Sequence, residues 1–280
     1  MNLIRKACFV TAFIFALMPV LSFAQYQHMV EPFWSNLRNP LRYEIGGGLV
    51  MPSGSFTGVV RVVDAGGEFK GDSTASRKLP GSGFGGGIGL CLPFKATGHI
   101  SCWAVAAQLT ANMYTWSDLN QTMNTSGTYK ASTPSLNAAT MQVCLPIGID
   151  YKIGNDAILT KRLPMGATFG LGVIPQIMMT NLQGVSGYTP QYGYSCLPYA
   201  KFDWSVFTGF CWKIRAMYSM GNVNLMDVNR SLNNLTDGPF KFSSTSQLSL
   251  SLIIMPFSGG WKEYTWYNTF DTYNQHDKFN

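Results

Sequence analysis

His28, His99 and His276 are the whole imidazole stock of this chain. Acid–base and nucleophilic catalysis need a base within reach of a nucleophile, yet these three lie near the start, at a short turn and in the C-terminal tail. No His, Cys, Asp or Glu spacing suits a metal ion. Gly81-Ser82-Gly83-Phe84-Gly85-Gly86 matches G-x-G-x-x-G, but a dinucleotide site needs a helix after that motif, and 87–94 continues as a strand. Gly46, Gly48, Gly85, Gly87 and Gly89 fall on one face of two strands. They either leave a groove for a plug, a solute or larger opposing side chains, or relieve crowding where the strands curve. Asp150 and Asp203 could form a carboxylate site, but nearby Lys and Arg favour ion pairing. No catalytic residue, cofactor or metal is expected, and no enzyme.

Of the six cysteines, Cys8 lies in the leader described below. That leaves an odd number, so at least one has no intrachain partner. If Ala96-Thr97 centre a hairpin, Cys91 and Cys102 face each other on the inward side. They would form a disulfide if geometry permits, or stand as two buried free thiols.

The elements that must position these residues are strands. Met141, Val143, Leu145, Ile147, Ile149 and Tyr151 alternate with Gln142, Cys144, Pro146, Gly148, Asp150 and Lys152, which is the period of a strand with one greasy face. Phe210 to Met220 repeats the pattern. Further strands are expected at 41–51, 83–94, 99–114, 163–180, 194–207 and 240–257. Long polar links at 52–82, 115–136, 181–193 and 221–239 alternate with short ones at 95–98, 153–162 and 208–209. An up-and-down barrel puts every second connection at the same rim, so the expected fold is all-β: an eight-stranded antiparallel up-and-down transmembrane β-barrel with long extracellular loops and short periplasmic turns.

Composition agrees. Only 12% of the 280 residues are charged against 46% hydrophobic, about half the charge of an ordinary soluble domain, which excludes intrinsic disorder. Arg5 and Lys6, the apolar run 7–21 and Ser22-Phe23-Ala24 make a secretory signal peptide over 1–24, cleaved after Ala24. Its removal lowers the formal net charge from +6 to +4. The remaining basic excess is scattered, so no nucleic-acid partner is expected. No later run is long and apolar enough for a membrane helix. The remaining parts are a periplasmic N-terminal segment 25–40, the barrel 41–257 and an aromatic periplasmic tail 258–280.

Charged residues settle which face points where. Arg42, Glu44, Asp150, Lys152, Lys201, Asp203, Lys213 and Arg215 all lie on polar faces near the short-turn end. A narrow eight-stranded lumen can hold such a cluster if its charges pair, but not the bulky Trp103, Leu109, Phe169, Leu171 and Trp204 as well. The greasy face therefore looks outward, to lipid. Trp103, Trp204, Trp212, Tyr43 and Tyr151 lie near strand ends, where interfacial girdles belong.

Val143-Cys144-Leu145-Pro146-Ile147-Gly148-Ile149-Asp150-Tyr151-Lys152 resembles the apolar-Pro-x-x-x-x-Tyr strand of the small outer-membrane β-barrels of Bacteroidota, the PorT-like set with OmpA- and OmpX-like barrels. Phe169-Gly170-Leu171-Gly172-Val173-Ile174-Pro175 resembles the glycine-rich strand that follows it there. The resemblance covers 41–257 in pattern and about twenty residues in motif. It implies an eight-stranded barrel in the cell outer membrane and little about activity, one branch being tied to protein secretion. The Trp- and Tyr-rich tail departs from that set. The closing Leu252-Ile253-Ile254-Met255-Pro256-Phe257 resembles the signal read by the barrel-assembly machinery. Expected partners are outer-membrane lipid, that machinery during biogenesis, and a periplasmic or surface protein. The expected role is structural or interactive, with a narrow outer-membrane channel or transport protein and a secreted or periplasmic β-sandwich binding protein as alternatives.

Overall fold

Alternating polar and apolar residues pair each strand with the next, and the last returns to the first. The computed structural model describes residues 42–98, 100–119, 121–131, 137–158, 163–183, 190–228, 240–256 and 258. The leader 1–24, segment 25–40, nearly all of the tail and all three histidines lie outside the described residues. The strands are β1 (Arg42–Val63), β2 (Phe69–Gly98), β3 (Ser101–Trp116), β4 (Gln121–Asn124), β5 (Tyr129–Ala131), β6 (Asn137–Cys144), β7 (Ile147–Gly154), β8 (Met165–Gln183), β9 (Gln191–Phe207), β10 (Cys211–Val228) and β11 (Phe240–Met255), with one helical turn, α1 (Asn155–Ile158). Antiparallel pairing runs β1-β2-β3, then β6 and β7 in line, then β8-β9-β10-β11. The ring closes where β11 meets β1, from Ile45↔Ile254 to Gly58↔Phe240. The ring thus has eight positions built from nine of the eleven strands. No helix among the described residues is long and apolar enough to cross a membrane.

Pro146 accounts for the split position. A proline has no N–H for the ladder, so β6 ends at Cys144 and β7 begins at Ile147. The neighbouring strands bridge the gap: Gln108 N donates to the Pro146 carbonyl at 3.0 Å and Leu145 N to the Pro175 carbonyl at 2.9 Å.

Two expectations need correction. Much of what composition marks as loop is strand. Segment 52–82 is the continuation of β1 and β2 as a hairpin whose tip is 64–68, because its Ser, Thr and Gly still alternate: Phe56 and Val60 are buried while Thr57 and Arg61 are exposed. At that tip the Asp64 carboxylate accepts the N–H groups of Glu68 and Gly66, each at 2.9 Å. The Glu68 bond, helped by the Lys70 ammonium, lowers the Asp64 pKa from its ordinary value. The segment 115–136 likewise holds β4 and β5, and β4 pairs parallel with β1 from Arg61↔Thr122 to Val63↔Asn124.

The second correction concerns Cys91 and Cys102. They do not oppose each other; Cys91 faces Ala106, Cys102 faces Ala96, and both are buried free thiols. β2 runs on to Gly98 and β3 begins at Ser101, so Ala96-Thr97 lie within β2 rather than at the turn. At Cys91 the slip is four residues, and an even slip keeps a side chain on its own face, so alternation alone cannot detect it. Beyond the register shift between Pro93 and Lys95 the offset at Cys102 is five.

Outside the ring the apolar residues are exposed. Phe84 is 71% exposed and Leu171 68%. One row of ladder partners runs Trp103↔Tyr151↔Phe169↔Phe202 across four ring positions, with Trp103 and Tyr151 in ring contact at 4.9 Å and Phe169 and Phe202 at 5.1 Å. A second row, Phe84↔Met113↔Met141↔Met179↔Tyr192, spans five. On β3 ten residues of rise separate Trp103 from Met113, about 25 Å along the axis of a tilted strand. Beyond the upper row the outward residues turn polar: Thr115 follows Met113 on β3, Asn181 follows Met179 on β8, and Ser82 follows Phe84 on β2. Below that line the barrel is greasy outside and polar inside; above it the faces are reversed.

Candidate functional site

Three layers fill the lumen. The lowest, at the short-turn end, is a charge cluster assembled from every predicted position. Arg42 and Glu44 come from β1, Asp150 and Lys152 from β7, Lys201 and Asp203 from β9, and Lys213 and Arg215 from β10; all are buried. Alternation on four strands aims them all inward, and closure of the ring brings them together. Arg215 grips Asp203 with two bonds, Nε to Oδ1 at 2.7 Å and Nη2 to Oδ2 at 2.6 Å, from the directly opposed position on β9. Its Nη2 also donates to Glu44 Oε2 at 2.8 Å and its Nη1 to Gln108 Oε1 at 2.7 Å.

The centre of the cluster is a residue that alternation does not mark. Asp156, fully buried, accepts from Arg42 Nη1 at 3.1 Å, Lys152 Nζ at 2.5 Å and Lys213 Nζ at 2.7 Å. Lys213 also reaches Glu44 at 2.5 Å. Asp156 belongs to α1, within the expected turn 153–162. Gly154, at φ +87°, turns the chain back so that α1 folds into the ring, with Asn155 Oδ1 accepting from Ser205 Oγ at 2.6 Å. A signal existed: the eight predicted charges comprise five cations and three anions, and buried charge must be paired. That imbalance pointed to a further inward carboxylate.

Gly170 makes room for one pair. It stands between Asp150 and Lys201 in the ladder, and Lys201 Nζ meets Asp150 Oδ2 across it at 2.9 Å. A Cβ there would lie 2.4 Å from Asp150 Oδ1 and 2.5 Å from Lys201 Cε. Gly170→Ala should therefore force the pair apart and lower unfolding stability by about 1–3 kcal/mol, read from urea titration of the lipid-reconstituted protein. An unchanged midpoint would show that the pair yields without cost.

The middle layer is a relay of amides. Asn112 Nδ2 donates to Gln142 Oε1 at 2.9 Å, Gln142 Nε2 to Gln176 Oε1 at 2.6 Å, and Gln176 Nε2 to Ser195 Oγ at 2.8 Å, linking β3, β6, β8 and β9. Beside it, a small cavity lies against the glycine wall, bordered by Gly46, Gly85, Gly87, Asn112, Arg215 and Ser249. The glycines serve mainly close packing. A Cβ on Gly48 would fall 1.9 Å from the Leu250 carbonyl oxygen and one on Gly87 2.2 Å from that of Leu109.

The upper layer is apolar, and charge patterning gave no hint of it. Phe56, Tyr114, Trp116, Leu182, Leu225 and Phe242 are among its members. Trp116 packs edge-on against Phe242 at 4.8 Å and donates Nε1 to Thr140 Oγ1 at 3.1 Å. Arg77 spans the mouth: its guanidinium lies 4.5 Å from the Phe56 ring centroid and donates to the carbonyls of Asp118, at 2.9 Å, and Leu119. Leu119 is buried in the same layer.

Among the described residues no group of three or more His, Cys, Asp or Glu is placed to hold a metal ion. Each carboxylate of the cluster has at least one ammonium or guanidinium partner, which is an arrangement for neutralising buried charge.

No family model matches the chain, and no curated protein matches it in sequence. Among solved structures, it superposes on the outer membrane protein OprG of Pseudomonas aeruginosa at TM-score 0.43 and 12% identity, covering 76% of this chain and 94% of that one. For the outer membrane protease OmpT of Escherichia coli the values are 0.39, 7%, 78% and 97%. For the attachment invasion locus protein Ail of Yersinia pestis, solved with the heparin analogue sucrose octasulfate, they are 0.29, 10%, 75% and 98%. At those scores neither activity nor address passes from these proteins to this chain.

Proposed function

We propose that the protein is an integral outer-membrane β-barrel with a closed lumen, acting as a structural or interaction element through the part that stands above the bilayer. The reversal of faces carries this reading. A barrel wholly in water has no use for a ring of exposed Leu, Ile, Phe and Met about 25 Å tall around paired charges. One wholly in lipid would not turn polar outside and apolar inside above a definite row. The predicted export signal supports the address. So does the placement of the two PorT-like segments, which stand side by side as β6 and β7 against β8. The β1–β2 hairpin, β4 and β5 would face the exterior, and the short turns with α1 the periplasm.

Extraction tests this directly. The full chain should leave membranes only with detergent and should migrate faster on gels unheated than boiled. A chain that stays monomeric in buffer without detergent would overturn the proposal. The packed lumen carries its own expectation. Planar bilayers containing the protein should show no steady single-channel current, because charges, amides and aromatic rings fill successive levels. A reproducible conductance would show that the lumen opens.

A further inference from the structure

We propose that the free edge of β2 from Gly71 to Leu79 is a self-association edge, pairing antiparallel with the same edge of a second copy of this chain. On one side this part of β2 is bonded to β1, from Val62↔Gly71 to Gly54↔Leu79. On the other side β3 begins to pair only at Gly81↔Trp116, so among the described residues no strand covers the stretch below it. An uncovered edge presents a row of unpaired N–H and C=O groups, a template for another strand.

The side chains select the partner and the register. Asp72, Thr74, Ser76 and Lys78 are exposed on the outer face of this strand, and among the described residues Asp72 and Lys78 make no ion pair. Opposed residues of an antiparallel pair share a face, so only even register sums continue the sheet. Pairing about Ala75 sets Asp72 against Lys78 of the other copy twice, and Thr74 against Ser76 twice. Centring on Thr74 would set Lys70 against Lys78, and centring on Ser76 would leave Asp72 facing Pro80. Of these three centres only Ala75 matches opposite charges, and Pro80, with no N–H to give, lies just beyond its end.

Symmetry then fixes the orientation. Two identical edges join antiparallel about a two-fold axis normal to the sheet. In a barrel wall that axis is radial, so the second barrel is inverted. Residue 75 stands nine residues beyond Phe84, about 23 Å along the axis. If the barrel spans a bilayer as proposed above, the two copies sit in facing membranes about 45 Å apart.

Ala75→Cys places a thiol on the two-fold axis, where it meets only itself. In detergent, air and copper phenanthroline should convert this variant of the full chain to a disulfide-linked dimer. The parent, whose thiols are mostly buried, and Ser73→Cys, which faces residue 77, should remain monomeric. Asp72→Lys should weaken dimerisation about tenfold in light scattering, and Asp72→Lys with Lys78→Asp should restore it. A monomeric Ala75→Cys chain, or a double reversal no better than the single one, would overturn the edge pairing. Those readings hold wherever the barrel resides. Vesicles carrying the protein should cluster, and Asp72→Lys should disperse them. Cross-linking without clustering would overturn the facing-membrane arrangement alone.

Discussion

Asp156→Asn should cost about 3–5 kcal/mol of unfolding stability, the scale of a buried ion pair deprived of one partner. Three cations converge on that carboxylate, and none has another anion that could take up the whole loss. Lys213 keeps Glu44 at 2.5 Å, Lys152 keeps only Asp150 at 4.0 Å, and Arg42 keeps the Ala157 carbonyl at 3.0 Å. The cluster as described holds five cations against four anions; the substitution leaves five against three among buried side chains. Tryptophan fluorescence during urea unfolding from lipid vesicles would read the loss, as would the temperature at which the compact gel band disappears. Adding Lys213→Met to Asp156→Asn should recover part of it, because one surplus cation is removed along with its lost partner. If Asp156→Asn unfolds at the parent midpoint, Asp156 does not organise the cluster.

Leu109→Arg should cost about 2–4 kcal/mol, the depth-dependent penalty of a charge at the lipid-facing midplane. Leu109 is 51% exposed and stands near the middle of the band between Trp103 and Met113. In water, an exposed leucine changed to arginine shifts stability by about 0.5 kcal/mol or less, so a membrane-spanning and a water-soluble barrel predict different outcomes. Thr115→Arg supplies the comparison. It lies on the same strand and the same outward face, just beyond Met113, and should change stability little. Equal, small effects at both positions, measured by the same urea titration, would remove lipid from the description.

Much of this was readable along the chain. Period-two alternation is a local property, and it places Tyr43, Ile45 and Leu49 outside and Arg42 and Glu44 inside whatever the partner strand is. Eight charges and the outward-facing aromatic residues Trp103 and Tyr151 were therefore legible before any pairing was known. The polar composition of 52–82 hid the same alternation, since Ser and Thr facing water around Phe56 and Val60 facing inward resemble a loop when counted rather than phased.

What alternation cannot carry is the match between strands distant in sequence. An even slip of register preserves every face, so only the closed ladder could place Cys91 against Ala106 and Asp150 across Gly170 from Lys201. The charge imbalance called for another carboxylate, but alternation could not single out Asp156, for a related reason. It sits in a turn with no periodicity, and only the return of α1 into the ring brings it to Arg42, Lys152 and Lys213. By itself the sequence determined which side of the wall each strand residue faces, because a side chain's face depends on its own backbone alone. The tertiary structure decided which residues meet inside, because closing the ring sets distances between strands that no stretch of chain encodes locally.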